Sequence, residues 1–174
     1  MKKTFYILLC FGAIVLSGCK TDKRIDPTVM PAVTTTGEHT FGCLVDGWVT
    51  VGGRYYDEGS PIIYDDNHSI VFNYYASANY VDVRVKTKDM PNQYLKFRIK
   101  GVDKDAELPQ KNCTFENAIF SDLQGSGGSE TTIDSVGSVI ITNLVLTDSL
   151  KIMSGTFSGK RMTEGRFDVR YRLK

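Results

Sequence analysis

The chain has 174 residues, 41% of them hydrophobic, with 21 Lys and Arg against 20 Asp and Glu. That length suits one domain with a sizeable core, and that composition excludes a chain disordered throughout. A net charge near zero excludes a general nucleic-acid binder, which needs a basic excess.

The first residues read as an export signal. Lys2 and Lys3 make a positive start, and Phe5 to Leu16 make an apolar stretch of 12 residues. A helix that spans a bilayer needs about 20 residues, so this stretch has the size of a signal-peptide core instead. The run Leu16-Ser17-Gly18-Cys19 resembles the lipobox of bacterial lipoproteins, whose cysteine is acylated and becomes the new N-terminus. The resemblance implies a signal peptide over 1–18 and lipid attachment at Cys19. It also implies the membrane as a partner and the bacterial outer membrane as the location. Acidic residues just after the lipidated cysteine resemble a bacterial surface-export signal. Here Lys20-Thr21-Asp22-Lys23 carries one acid, so the periplasmic and surface faces both stay open. Loss of Lys2 and Lys3 with the signal leaves 19 basic against 20 acidic residues.

Residues 19–40 read as a lipidated flexible tether. They are polar, carry Pro27, Pro31 and Thr34-Thr35-Thr36, and show no sustained periodicity. A flexible coil of that length reaches roughly 25 Å root-mean-square, and about 70 Å fully stretched.

From Phe41 the period becomes two, the strand signal, and residues 41–174 are expected to form a single all-β domain. Phe41 to Val51 reads as one strand, with Phe41, Cys43 and Val45 on one face. Ile62 to Tyr64 and Ile70 to Tyr75 flank the turn-like Asp65-Asp66-Asn67-His68. Val81, Val83 and Val85 alternate with Asp82, Arg84 and Lys86; Leu95, Phe97 and Ile99 alternate with Lys96, Arg98 and Lys100. Met90-Pro91-Asn92 reads as the turn between them. Phe115 to Phe120 is read as one helical turn, and Gln124 to Gly137 as a long loop. Val139 to Leu146 is apolar on both faces and reads as a central strand. Leu150 to Phe157 follows, then a turn over Gly159 to Gly165 and a last alternating strand to Leu173. About nine strands joined by short turns predict an antiparallel two-sheet sandwich or a partly open meander barrel.

Thr40-Phe41-Gly42-Cys43-Leu44-Val45-Asp46-Gly47 opens this domain. Ser154-Gly155-Thr156-Phe157 and Gly165-Arg166-Phe167-Asp168-Val169 close it. With the lipobox, these stretches resemble a family of uncharacterised all-β lipoproteins of the Bacteroidota. The resemblance implies fold and location, and carries no activity. A second resemblance is to calycins, small barrels with a tryptophan on the first strand and an arginine on the last. Trp48 and Arg166 or Arg170 would take those parts, although Gly47 directly precedes Trp48 where the lipocalin pattern inserts a residue.

The chemical inventory is short. His39 and His68 are the two histidines, and no nucleophile elbow, metalloprotease helix or phosphate-cradling loop is present. Gly125-Ser126-Gly127-Gly128 reads as a flexible loop. Asp65 to His68 lacks the alternating acids of a calcium loop. No catalytic residue, metal site or cofactor is expected. Cys43 and Cys113 remain after processing, either as a disulfide worth roughly 4 kcal/mol in the chain-entropy model or as two buried thiols. Trp48, Tyr55, Tyr56 and Tyr64 cluster early and are the candidate ligand contacts, since aromatic faces stack on sugar rings and their polar tips suit wet interfaces. Arg84, Lys86, Lys96, Arg98 and Lys100 would form a basic patch for anionic glycan or lipid headgroups if their strands pair. The alternative is an ordinary solvated face. Asp134-Ser135-Val136 and Asp148-Ser149-Leu150 resemble the short O-glycosylation motif of the same phylum and mark Ser135 and Ser149 in expected exposed loops.

The residues thus point to a non-enzymatic envelope lipoprotein with a binding or scaffolding β-domain. Its partners would be the membrane, through its lipid, and a glycan or an envelope protein, with no nucleic acid. The rivals are a glycan-binding accessory lipoprotein and a calycin-like carrier of a small apolar ligand.

Overall fold

The computed structural model describes residues 29–52, 69–87, 93–122 and 128–174. The strands are β1 (Thr40–Val45), β2 (Trp48–Gly52), β3 (Ile70–Tyr75), β4 (Tyr80–Lys86) and β5 (Gln93–Lys100). They continue as β6 (Gln110–Asp122), β7 (Glu130–Leu146), β8 (Lys151–Ser158), β9 (Met162–Arg170) and β10 (Arg172–Leu173). All ten belong to one sheet, in the order β10-β3-β4-β5-β6-β7-β8-β9-β1-β2. The fold is all-β, as expected, and of the two expected alternatives the single curled sheet agrees with the partly open barrel, not with the sandwich of two. Neighbours are antiparallel except β10, which runs parallel to β3.

The curl brings the two ends of the sheet together. β9 and β10 are one run of chain bent at Tyr171, and β10 leaves the β8 side to pair with β3. Tyr171 and Tyr74 meet edge-on with ring centroids 5.6 Å apart. Their hydroxyls donate to the carbonyls of Val145 and Val102, both at 3.1 Å. Burial pushes both phenols up to about 12. On the other side, Gly52 at the end of β2 bridges to Thr87 just beyond β4.

The inner face is closed by phenylalanines. Phe157 on β8 lies 5.5 Å from both Phe41 and Phe97, 6.1 Å from Phe115 and 6.3 Å from Phe167, centroid to centroid. Phe72 joins through Phe167 at 5.2 Å. Aromatic pairs at such separations add about 0.5–1.5 kcal/mol each beyond the area they bury. Two of these rings need glycine opposite. Phe167 faces Gly155 and Phe157 faces Gly165 across the β8–β9 ladder. A Cβ at Gly165 would clash with the edge of the Phe157 ring, and one at Gly155 would meet the Ile140 carbonyl oxygen. The Ser-Gly-Thr-Phe and Gly-Arg-Phe-Asp-Val stretches are therefore the two halves of one hairpin, interlocked glycine to ring.

Several expected boundaries move. Phe41 to Val51 is a hairpin, not one strand, because Asp46 and Gly47 take φ of 52° and 83°. A two-residue type I′ turn needs positive φ at both positions. The helical turn expected over Phe115–Phe120 is part of β6, and the loop expected over Gln124–Gly137 is β7 from Glu130. Register shifts between Lys96 and Arg98 and between Ala118 and Ile119 break the period of two there. The turn expected over Gly159–Gly165 is shorter, since β9 begins at Met162. Ile62–Tyr64, Asp65–His68 and Met90–Asn92 lie outside the described residues.

The described part of the expected tether is packed structure. Asp168 is 1% exposed, although alternation puts it on the charged face of β9. Its carboxylate accepts hydrogen bonds from Thr34 Oγ1 at 2.6 Å, Thr36 N at 3.0 Å, Gly37 N at 2.9 Å and Glu38 N at 3.1 Å. Asn143 Nδ2 donates to the Thr35 carbonyl at 2.8 Å, and Pro31 fills the space over Gly42. Residues 29–39 thus form a strap across β1 and β7–β9. His39 is held within it, its Nδ1 accepting from Arg170 N at 3.3 Å.

Candidate functional site

Trp48 starts β2 at the hairpin tip and is 80% exposed. It is neither core nor a lid over a barrel end, so the calycin pairing with Arg166 or Arg170 does not form. Arg166 turns toward Glu164 instead, at 4.0 Å. Tyr55, Tyr56 and Tyr64 lie outside the described residues, as does Cys19. Cys43 and Cys113 are both buried and both free, the second of the two alternatives that the sequence left open. Cys113 Sγ lies 3.3 Å from the Gly101 carbonyl, on β6, while Cys43 sits four strands away in the sheet order. Burial pushes the Cys43 thiol up to about 12, which makes it a poor nucleophile. Ser149 lies in the exposed turn where Thr147 N bonds the Leu150 carbonyl. Ser135 is exposed too, but in the middle of β7 rather than in a loop. Its neighbour Asp134 is buried and accepts from Arg161 N and Met162 N at 3.0 and 2.7 Å. Among the described residues no three His, Cys, Asp or Glu side chains gather as a metal site.

The strands that carry the basic patch do pair, and their outer face is more than a charged surface. In the β4–β5 ladder Asp82 faces Arg98, and Arg84 faces Lys96. Arg98 donates to Asp82 at 2.7 Å through Nε and at 3.2 Å through Nη2. Its guanidinium also lies 4.2 Å above the Tyr80 ring, which stacks on Tyr75 at 4.6 Å. The two hydrogen bonds and the ring beneath hold Arg98 in one orientation, and the Asp82 hydrogen bonds also raise the guanidinium's pKa. Lys96 Nζ reaches Ser121 Oγ at 2.9 Å and Glu130 at 3.7 Å, and Lys100 pairs with Glu116 at 2.7 Å.

Between these side chains lies an open groove of about 440 Å³, within the range of about 300–1,000 Å³ for small-molecule sites. Asp82, Arg84, Lys96 and Arg98 line it from β4 and β5. Asn73 closes it on the β3 side, and Glu116 and Asn117 on the β6 side. Asn117 sits at the irregularity in the β5–β6 ladder with φ of 54°, the left-handed region that a non-glycine residue adopts at a cost. Bulges of this kind bend a strand and re-aim its side chains. Asn73 Oδ1 is closed to solvent and has no hydrogen-bond partner among the described residues. Such an orphan costs about 1–3 kcal/mol until a donor arrives.

A second groove, of about 500 Å³, runs between Val33 of the strap and the outer face of β7–β9, with Ile140, Glu164 and Arg166 along it. Among the described residues it holds no orphaned buried polar atom. Asn73 and Asn117 were not legible as site residues. Asn adopts the left-handed region more readily than most residues, and Asn117 does so inside the segment read as a helical turn. No protein-family model, no curated protein and no solved structure matches the chain.

Proposed function

We propose that this is an envelope lipoprotein, anchored in the bacterial outer membrane through Cys19, whose β-domain acts by binding a saccharide. The observation that carries the reading is the β3–β6 groove. It offers amides, carboxylates and guanidinium groups together, several already fixed by ion pairs. Sugar hydroxyls both donate and accept, so they match such a mixed lining, and groups held in place lose little entropy on binding. The carrier reading would use the interior of the curled sheet, which the phenylalanine cluster occupies. The lipobox over Leu16–Cys19 supports the anchor.

Two experiments test this. Cys19→Ser should leave the protein unprocessed or release it from the membrane fraction; normal maturation and fractionation of that variant would end the anchor. The domain without residues 1–19 should bind members of a panel of envelope and plant polysaccharides, and Asp82→Ala should weaken that binding at least tenfold. A panel with no binder would remove the saccharide reading. Trp48 favours a scaffolding role as the second reading, because an indole 80% exposed at a hairpin tip is a ready contact for a protein partner. Trp48→Ala would then abolish co-purification of that partner while leaving saccharide binding unchanged.

A further inference from the structure

We infer that the β3–β6 groove takes an acidic saccharide, one that presents a negatively charged substituent to Arg84 and a hydroxyl to Asn73. The inference rests on the saccharide reading above and adds the ligand's charge. Arg84 differs from its neighbours in this patch: Arg98 has Asp82, Lys100 has Glu116, and Lys96 has Ser121 with Glu130. Arg84 has no carboxylate within ion-pair distance among the described residues, and only the Tyr94 ring lies under it, at 4.9 Å. Arg84 also stands directly opposite Lys96 in the ladder. Like charges facing each other across two strands destabilise the sheet. An anion between them removes that repulsion.

The anion alone does not complete the site. Among the described residues Asn73 Oδ1 has no donor and is closed to solvent, so the Asn73 amide turns into the groove it lines to meet a hydroxyl, and a carboxylate or sulfate has no proton to give it. Asn73 faces Asp82, two residues along from Arg84, so Asn73 and Arg84 are diagonal neighbours about 7–8 Å apart at the backbone. One pyranose ring with its substituents spans that distance. Hydroxyl and anion on one sugar satisfy both ends of the groove at once. The side chains of Asp82 and Glu116 already accept from Arg98 and Lys100, and they keep a free edge for further hydroxyls.

The test is calorimetric titration of the domain without residues 1–19. The probes are de-esterified oligogalacturonate, its methyl-esterified neutral form, a heparin oligosaccharide and inorganic phosphate. The expected result is binding of the carboxylated or the sulfated oligosaccharide at least tenfold tighter than the neutral form. The arm that binds names the anion. Arg84→Gln should remove that preference, whereas Lys160→Gln, at an exposed lysine in the β8–β9 turn, should keep it. Without ligand and at low salt, Arg84→Gln should melt no lower than the parent, because it relieves the Arg84–Lys96 repulsion. Equal binding of the charged and neutral forms overturns the charge inference and leaves the saccharide reading standing. Displacement by phosphate alone at the same concentration overturns it too, since a bare anion site would then suffice. No binding in any arm sinks both.

Discussion

Ser154 Oγ donates a 2.6 Å hydrogen bond to Asp168 Oδ1, joining β8 to β9 through a carboxylate that lies inside the protein. The two residues face each other in register, and the strap covers them from outside. A side chain that alternation assigns to solvent is thereby the anchor of the N-terminal segment.

Asp168→Ala should therefore undo the strap before it undoes the sheet. Each donor left without its acceptor costs about 1–3 kcal/mol where it stays buried, so the variant should lose on the order of 3 kcal/mol. Hydrogen exchange gives the sharper reading. The amides of Thr36, Gly37 and Glu38 should lose protection, while those of Ile99 and Phe115 keep theirs. Full protection at residues 36–38 in the variant would show that the strap is held by something else.

Acid should loosen the same contact. Burial acts to raise the Asp168 pKa, but the hydrogen bonds from Ser154, Thr34 and the Glu38 and Gly37 amides outweigh it and leave the pKa below its ordinary 3.8. A carboxyl group with a depressed folded-state pKa contributes stability in full above its unfolded pKa. That contribution is lost as pH falls through the folded value. The melting temperature should thus drop below about pH 4, and Asp168→Asn should melt lower than the parent at pH 7 but show a shallower decline in acid.

Gly155→Ala tests the interlocked hairpin. Its new methyl group would meet the Ile140 carbonyl oxygen and the Phe167 ring, and the backbone oxygen cannot turn away. Overpacking of this kind costs about 1–3 kcal/mol, or roughly 2–4 °C of melting temperature per kcal/mol for a domain of this size. Phe157→Ala, at the centre of the ring cluster, should cost about 3–5 kcal/mol. A neutral Gly155→Ala would mean that the hairpin has room the structure does not show.

Trp48 is the single tryptophan of the chain, so its fluorescence reports one site. At 80% exposure the emission should be red-shifted and readily quenched by acrylamide in the native state. Trp48→Ala should change stability by no more than about 0.5 kcal/mol. A blue-shifted, shielded indole would place this residue against another part of the chain.

Both thiols should resist modification until the protein unfolds. A chain lacking residues 1–19 should react slowly with a disulfide reagent in buffer and release two equivalents in denaturant, since Cys43 and Cys113 are buried and free. Reduction should leave the melting temperature unchanged. A fall on reduction would mean that the bridge forms after all.

Alternation by itself determined the strands whose two faces differ in kind. Val81, Val83 and Val85, and Leu95, Phe97 and Ile99, turn inward as their spacing requires, and their charged neighbours turn out. The all-β class follows from those patterns, because a period of two buries one face in any sheet. What alternation does not encode is where the period breaks and what covers the far face. Asn117 shifts the β5–β6 register and helps make a groove from an otherwise flat surface, and β7 buries Ile133 and Asp134 in succession. Both hid strands inside segments that read as a helical turn and a loop. The burial of Asp168 depends on Thr34, 134 residues earlier in the chain. The choice of one curled sheet depends on Tyr171 bending β10 across to β3. Contacts between residues so far apart leave no local pattern, because each side chain is ordinary for its own strand and acquires its role only from the partner the closed sheet sets against it.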